Sequence, residues 1–82
     1  MLAVEVKGAG FEAVNGVHYS VSTGIANIPV GFVKTCDENG WYSSKMWEKL
    51  YDKTTPWFAH NENDSYMYRN RSDGRWWIMS VN

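Results

Sequence analysis

Ser65-Tyr66-Met67-Tyr68-Arg69, then Asn70-Arg71-Ser72-Asp73-Gly74, then Arg75-Trp76-Trp77-Ile78-Met79: two short aromatic runs around a polar turn decide the fold class. Neighbours on a strand point to opposite faces, so Tyr66 and Tyr68 share one face. Trp76 and Ile78 share a face in the last run, and Trp77 and Met79 take the other. Asp73-Gly74 supplies the tight bend between the runs. Upstream, Trp57 to His60 is a further run, closed by the turn Asn61-Glu62-Asn63-Asp64. The last third of the chain therefore reads as a three-stranded meander.

The N-terminal half carries the same period. Leu2, Val4 and Val6 alternate with Ala3, Glu5 and Lys7 before Gly8-Ala9-Gly10 breaks the pattern. Asn15-Gly16 predicts a type I′ hairpin turn, with Gly16 and Gly74 both at positive φ. Val17, Tyr19 and Val21 follow on one face of a second strand that Gly24 ends. Ile28, Val30 and Phe32 alternate with Pro29, Gly31 and Val33, which predicts a third strand placed at an edge by Pro29. Thr35 to Gly40 is polar, and Asp37-Glu38-Asn39-Gly40 reads as a loop.

One segment breaks the period. Met46, Trp47, Leu50 and Tyr51 fall at helical spacing, and Ser44 can cap a start, so a short helix is expected near residues 44–52. The competing reading is a further strand, with Trp47 and Tyr51 on one face and Met46 and Leu50 on the other. Pro56 ends the element, because the residue before a proline is pushed out of the helical region. The expectation is a single mostly β domain over residues 1–82. It is a small antiparallel barrel or rolled sheet of about six strands with one short helix. Val4, Val6, Val17, Tyr19, Val30, Phe32, Tyr66 and Trp76 are the expected core.

Composition fits that size. Eighty-two residues suffice for one domain, and five Trp, five Tyr and three Phe supply the large buried areas a thin core needs. A net charge of −1 argues against nucleic acid or an anionic membrane as partner, since both select a basic excess. No window is long and apolar enough for a membrane span, and Met1 to Lys7 lacks the basic start of a signal peptide. The single cysteine, Cys36, cannot form an internal disulfide, which favours a reducing, intracellular and cytoplasmic setting.

Val6-Lys7-Gly8-Ala9-Gly10 with Val14-Asn15-Gly16-Val17-His18-Tyr19, together with Pro56-Trp57-Phe58, Ser65-Tyr66-Met67-Tyr68 and Asp73-Gly74-Arg75-Trp76-Trp77-Ile78, forms a combined pattern. It resembles an uncharacterised small β module that recurs, often in tandem, in proteins of algae and other protists. The resemblance covers most of the chain outside residues 39–53. It implies a compact β meander and supplies no catalytic residues to carry over. Trp57, Tyr66 to Asn70 and Trp76 are also similar in outline to a WW domain, but a WW domain places a proline just after its second Trp. Here Met79 and Ser80 follow Trp77-Ile78.

No motif names a reaction. Cys36, His18 and His60 lack the spacing of a zinc site or a nucleophile elbow, and they are expected not to converge. The acids Asp37, Glu38, Glu62, Asp64 and Asp73 sit in turn positions, where Asp binds its own backbone. Arg69, Arg71 and Arg75 interleave with aromatics, yet Glu62, Asp64 and Asp73 cancel them. No catalytic residue, metal site or cofactor is therefore expected, and the chain is read as a non-enzyme.

The aromatics remain. Trp76 and Trp77 point to opposite faces, so one set is either covered by the helix or exposed. Trp57, Tyr68, Arg69 and Trp77 are the expected ligand-contact residues of a non-catalytic binding or protein-interaction module. The partner expected is a protein, a peptide or a glycan, with the chain a monomer or weak homodimer. The alternatives are a carbohydrate platform of exposed Trp and Tyr, and a structural unit that self-associates through an edge strand.

Overall fold

The period-two segments do build one antiparallel sheet, and it runs in chain order. The computed structural model describes residues 2–10, 12–21 and 27–79. Strands β1 (Ala3–Val6), β2 (Gly16–Val21), β3 (Trp57–His60), β4 (Tyr66–Arg69) and β5 (Trp76–Met79) pair as β1-β2-β3-β4-β5. The sheet curls into a half-barrel and stays open, with β1 and β5 as its two edges. Helices α1 (Val30–Glu38) and α2 (Ser43–Leu50) lie between β2 and β3 in the chain. The mostly β reading stands. The described residues hold five strands and two helices where about six strands and one helix were expected.

The third expected strand is the reason for the difference. Ile28, Phe32 and Cys36 recur every fourth residue, a helical stripe that the Ile28-Val30-Phe32 alternation hides. Phe32 and Cys36 bury that stripe, while Val30 faces water on the first turn. Pro29 precedes the helix, where its missing N–H costs nothing, and its carbonyl accepts from the Val33 N–H at 3.1 Å. Of the segment expected as a polar loop, Thr35 to Glu38 is the second half of the same helix, and Asn39-Gly40 is the turn that follows it. The helix expected near 44–52 is α2, so the strand alternative for that segment falls.

Both helices cover one face of the sheet. Register places Val21, Trp57, Tyr68 and Trp77 in one row of that face, and Tyr19, Ala59, Tyr66 and Met79 in the next. Phe32, Cys36, Trp47, Tyr51, Trp57, Tyr66 and Tyr68 form the core between sheet and helices. Trp47 is its centre, with no exposed surface. It stacks on Tyr51 at 4.5 Å between centroids and meets Phe32 at 5.0 Å and Tyr68 at 5.1 Å. The Tyr51 hydroxyl donates to the Thr55 carbonyl, and the Asp52 N–H donates to Arg69 O at 3.0 Å, which ties the exit of α2 to β4.

Helices α1 and α2 leave the opposite face free, and although His18, Phe58, His60 and Met67 are buried along its middle, its edges are exposed, which corrects much of the expected core. Phe32 and Tyr66 are buried as expected. Val4, Tyr19, Val30 and Trp76 are exposed, and Val6 and Val17 are half-buried. Val4 and Trp76 lie on the edge strands of that face, and Tyr19 lies where the helices do not reach. The polar centre of this face is a buried histidine pair. His18 and His60 sit directly opposite each other on β2 and β3, and their rings meet edge to face at 4.9 Å. The expectation that they stay apart is corrected by that register. A cross-strand pair without ladder bonds of its own brings its side chains close.

The Asn15-Gly16 hairpin is also corrected. The connection from β1 to β2 spans Lys7 to Asn15 and holds a 3-10 turn at Glu12–Val14. Among the described residues only glycines have positive φ, so Asn15 does not make a type I′ turn. Gly16 itself has φ +121°, and a Cβ there would lie 2.9 Å from His60 Nε2, so both conformation and space demand glycine. Gly74 has φ +68°, as the Asp-Gly turn requires. The strand stop expected at Gly24 lies outside the described residues.

Candidate binding cleft

The end of α1 sets the first wall of a cleft. Gly40 has φ +71°, the left-handed conformation that stops a helix. The Gly40 N–H donates to Asp37 O at 3.2 Å, and the Trp41 N–H donates to Cys36 O at 2.8 Å. This pair of reversed bonds is a Schellman motif, and it turns Trp41 back toward the helix it has just left. Helix α2 adds Met46 and Leu50 from its buried edge.

Strand β5 sets the second wall. Trp77 and Met79 lie on its helix-facing side, beside Tyr68 and Tyr66 of β4. The Trp77 ring is tilted against Tyr68 at 6.5 Å. Its indole N–H donates to Asp73 Oδ2 at 2.9 Å, so the turn before β5 holds the ring. Asp73 is held in turn by the Arg75 N–H, which donates to Oδ1 at 2.8 Å.

Between these walls lies a cavity of about 160 Å³. Trp41 and Trp77, half exposed, stand among its walls, and Phe32, Cys36, Tyr66 and Tyr68 contribute from the core. The lining holds no Asp, Glu, Lys, Arg, Asn or Gln; Thr35 is its one aliphatic hydroxyl. Burial pushes the Tyr66 phenol up, with Tyr68 and Cys36 adding to the shift, and burial likewise pushes Tyr68 up. Both phenols stay neutral across the physiological range.

Of the four residues singled out from sequence, the structure brings two together. Tyr68 and Trp77 both line the cleft. Trp57 is a core residue, 7% exposed, with its indole N–H donating to Asn27 O at 2.8 Å. Arg69 lies on the other face of β4 with its guanidinium Nε 3.8 Å from Asp52. The cleft residues missed from sequence are chiefly Trp41, Met46 and Met79. Gly40-Trp41 was a legible signal, a helix-stop glycine followed by an apolar residue, once Val30–Glu38 is read as helix.

The rest of the surface offers less. A hollow of about 370 Å³ is lined by Lys49, Leu50, Arg71 and Ser72, but Arg71 Nη1 is engaged with Glu48 O at 3.0 Å. Cys36 lies under the helices, whereas His18 and His60 lie on the opposite face, so thiol and imidazole do not meet. Burial pushes the Cys36 thiol up, with Asp37 adding, which keeps it protonated and unreactive. Among the described residues, no three His, Cys, Asp or Glu side chains gather as a metal site, and no helix is long and apolar enough to cross a membrane. Comparisons with protein-family models, with curated proteins and with solved structures found no match.

Proposed function

We propose that this chain is a non-catalytic protein-interaction module that takes an apolar side chain of a partner peptide into the cleft between Trp41 and Trp77. The observation that carries this reading is the lining. A preformed apolar cavity with aromatic walls suits a Leu, Phe, Met or Pro side chain, which needs no polar partner. The cavity size fits one side chain and not a cofactor-sized ligand.

The same lining weighs against the carbohydrate alternative. A sugar ring stacks on Trp but also needs Asn, Asp or Arg side chains for its hydroxyls, and the cleft supplies none. The tilt of Trp77 on Tyr68, fixed by Asp73, makes an edge that an inserted side chain meets already ordered. Ordering costs are then paid by the fold and not at binding.

The experiment is a pair of parallel screens, random peptides on phage and a glycan array, run with the wild-type chain and with Trp41→Ala/Trp77→Ala. The reading expects peptides sharing one apolar anchor residue, lost with the double variant, and no glycan signal. Glycan binding that the double variant abolishes would transfer the site to the carbohydrate reading. No selection from either library would reject the cleft as a binding site.

A further inference from the structure

The two edges of the sheet differ in chemistry. Strand β1 carries Glu5, with Lys7 just beyond it, and these pair across 3.6 Å. Charges on an edge strand block pairing with another chain. Strand β5 has no such protection. Trp76-Trp77-Ile78-Met79 holds no charge, proline or glycine, and Trp76, Trp77 and Ile78 are each more than two-fifths exposed.

Ladder geometry says which main-chain groups are free. The Asn70 N–H donates to Arg75 O at 2.8 Å, and the register continues Tyr68 to Trp77 and Tyr66 to Met79. In an antiparallel ladder alternate residues bond to the same neighbour. Arg75, Trp77 and Met79 therefore turn their main chain to β4. The N–H and C=O of Trp76 and Ile78 face the open edge.

We propose that β5 pairs antiparallel with β5 of a second copy, with Trp77 opposite Trp77 across a two-fold axis. Side-chain faces stay continuous only when opposed residues share parity, and this register meets that condition. It sets Trp76 against Ile78 of the second copy, twice, and each of these pairs exchanges two main-chain bonds. The strand is thus complementary to itself, as an isologous contact requires. On the helix side the two Trp77 rings lie adjacent. On the other side each Trp76, already edge to face with Phe58 at 5.8 Å, packs against the opposed Ile78. Arg75 falls opposite Met79, so no like charges oppose, and a net charge of −1 per chain offers little repulsion. A four-residue strand buries less than about 1,200 Å² in such a pair, which makes the dimer weak and exchanging.

Sedimentation velocity from about 10 μM to about 1 mM covers the affinity range of so small an interface. The wild type is expected to shift from monomer to dimer across it, with the Trp76 and Ile78 amides gaining exchange protection as dimer forms. Ile78→Pro removes an outward N–H without touching the β4 ladder, and Ile78→Lys places a charge on the edge while keeping the backbone; each is expected to weaken dimerisation at least tenfold. Ile78 points away from the cleft, so peptide binding serves as an independent check of folding. A wild type that stays monomeric overturns the proposal, including the case in which a peptide protects those amides instead. Dimerisation undiminished in Ile78→Lys, with the monomer still folded, overturns it as well.

Discussion

The Trp77 indole N–H donates to Asp73 Oδ2 at 2.9 Å, so an exposed turn residue orients the aromatic wall of the cleft. Asp73→Ala leaves that ring free to rotate. Immobilising a free side chain at binding costs roughly 0.5–1.5 kcal/mol, so peptide affinity should fall about two- to twelvefold with the melting temperature nearly unchanged. Calorimetric titration of wild type and variant with one selected peptide measures this.

The same bond predicts a pH limit. The Arg75 backbone N–H, aided by the Trp77 indole and the Arg75 charge and opposed by burial, holds the Asp73 carboxyl below its ordinary value of 3.8. A lowered carboxylate keeps its favourable contacts above the unfolded value and loses them as pH falls through the folded one. The contribution of Asp73 to binding should therefore be intact at pH 5 and above and disappear only below 3.8. An Asp73→Ala chain should show the weak affinity at every pH.

Trp47 and Trp76 separate core from surface. Trp47 is fully buried and meets the rings of Phe32, Tyr51, Trp57 and Tyr68, so Trp47→Ala should cost about 3–5 kcal/mol and unfold much of a domain this small. Trp76→Ala should cost only about 1–2 kcal/mol, because the ring is two-fifths exposed on an edge strand. Urea denaturation of both variants checks the ordering; equal losses would contradict the placement of the core.

How far this was legible in the sequence follows from the same residues. Alternation located the strands and helical spacing located Trp47, Leu50 and Tyr51, because each reports a face that must be buried. Alternation alone could not say which face the helices cover, and that is why Trp76 looked like core. Val30–Glu38 was hidden because Ile28, Val30 and Phe32 satisfy a strand period as well as Ile28, Phe32 and Cys36 satisfy a helical one. With that helix unread, the Gly40 stop and the Trp41 wall could not be placed, and the cleft was legible only from its β side, through Tyr68 and Trp77.

Gly40 offers a test of that wall. A non-glycine residue at its left-handed φ pays roughly 1–2 kcal/mol, so Gly40→Val should destabilise by about that amount and release the turn that carries Trp41. Peptide affinity should fall together with stability. A variant with wild-type binding would show that Trp41 does not depend on the motif.

The histidine pair predicts an acid dependence of stability. His60 Nε2 donates to Asn15 O at 2.7 Å while its Nδ1 accepts from the Glu62 N–H at 3.0 Å, so the fold selects one neutral tautomer. His18 donates from Nδ1 to Gly16 O at 3.3 Å, and its Nε2 is buried without a partner. Burial holds the His18 imidazole below its ordinary value of 6.5; the Gly16 bond opposes this and the neighbouring His60 adds to it. The unfolded chain then takes up the proton first. Stability from this group is complete above about pH 6.5 and is lost as pH falls from there toward the lowered folded value. Thermal midpoints should drop over that window, and His18→Leu should flatten the slope.

The five indole N–H resonances test the central claim most directly. Titrating the labelled chain with the tightest selected peptide should shift the signals of Trp41 and Trp77, the two half-exposed indoles of the cleft, while those of the buried Trp47 and Trp57 move little. Shifts confined to Trp76, or binding that leaves Trp41 and Trp77 unmoved, would place the peptide on the other face of the sheet and contradict the account.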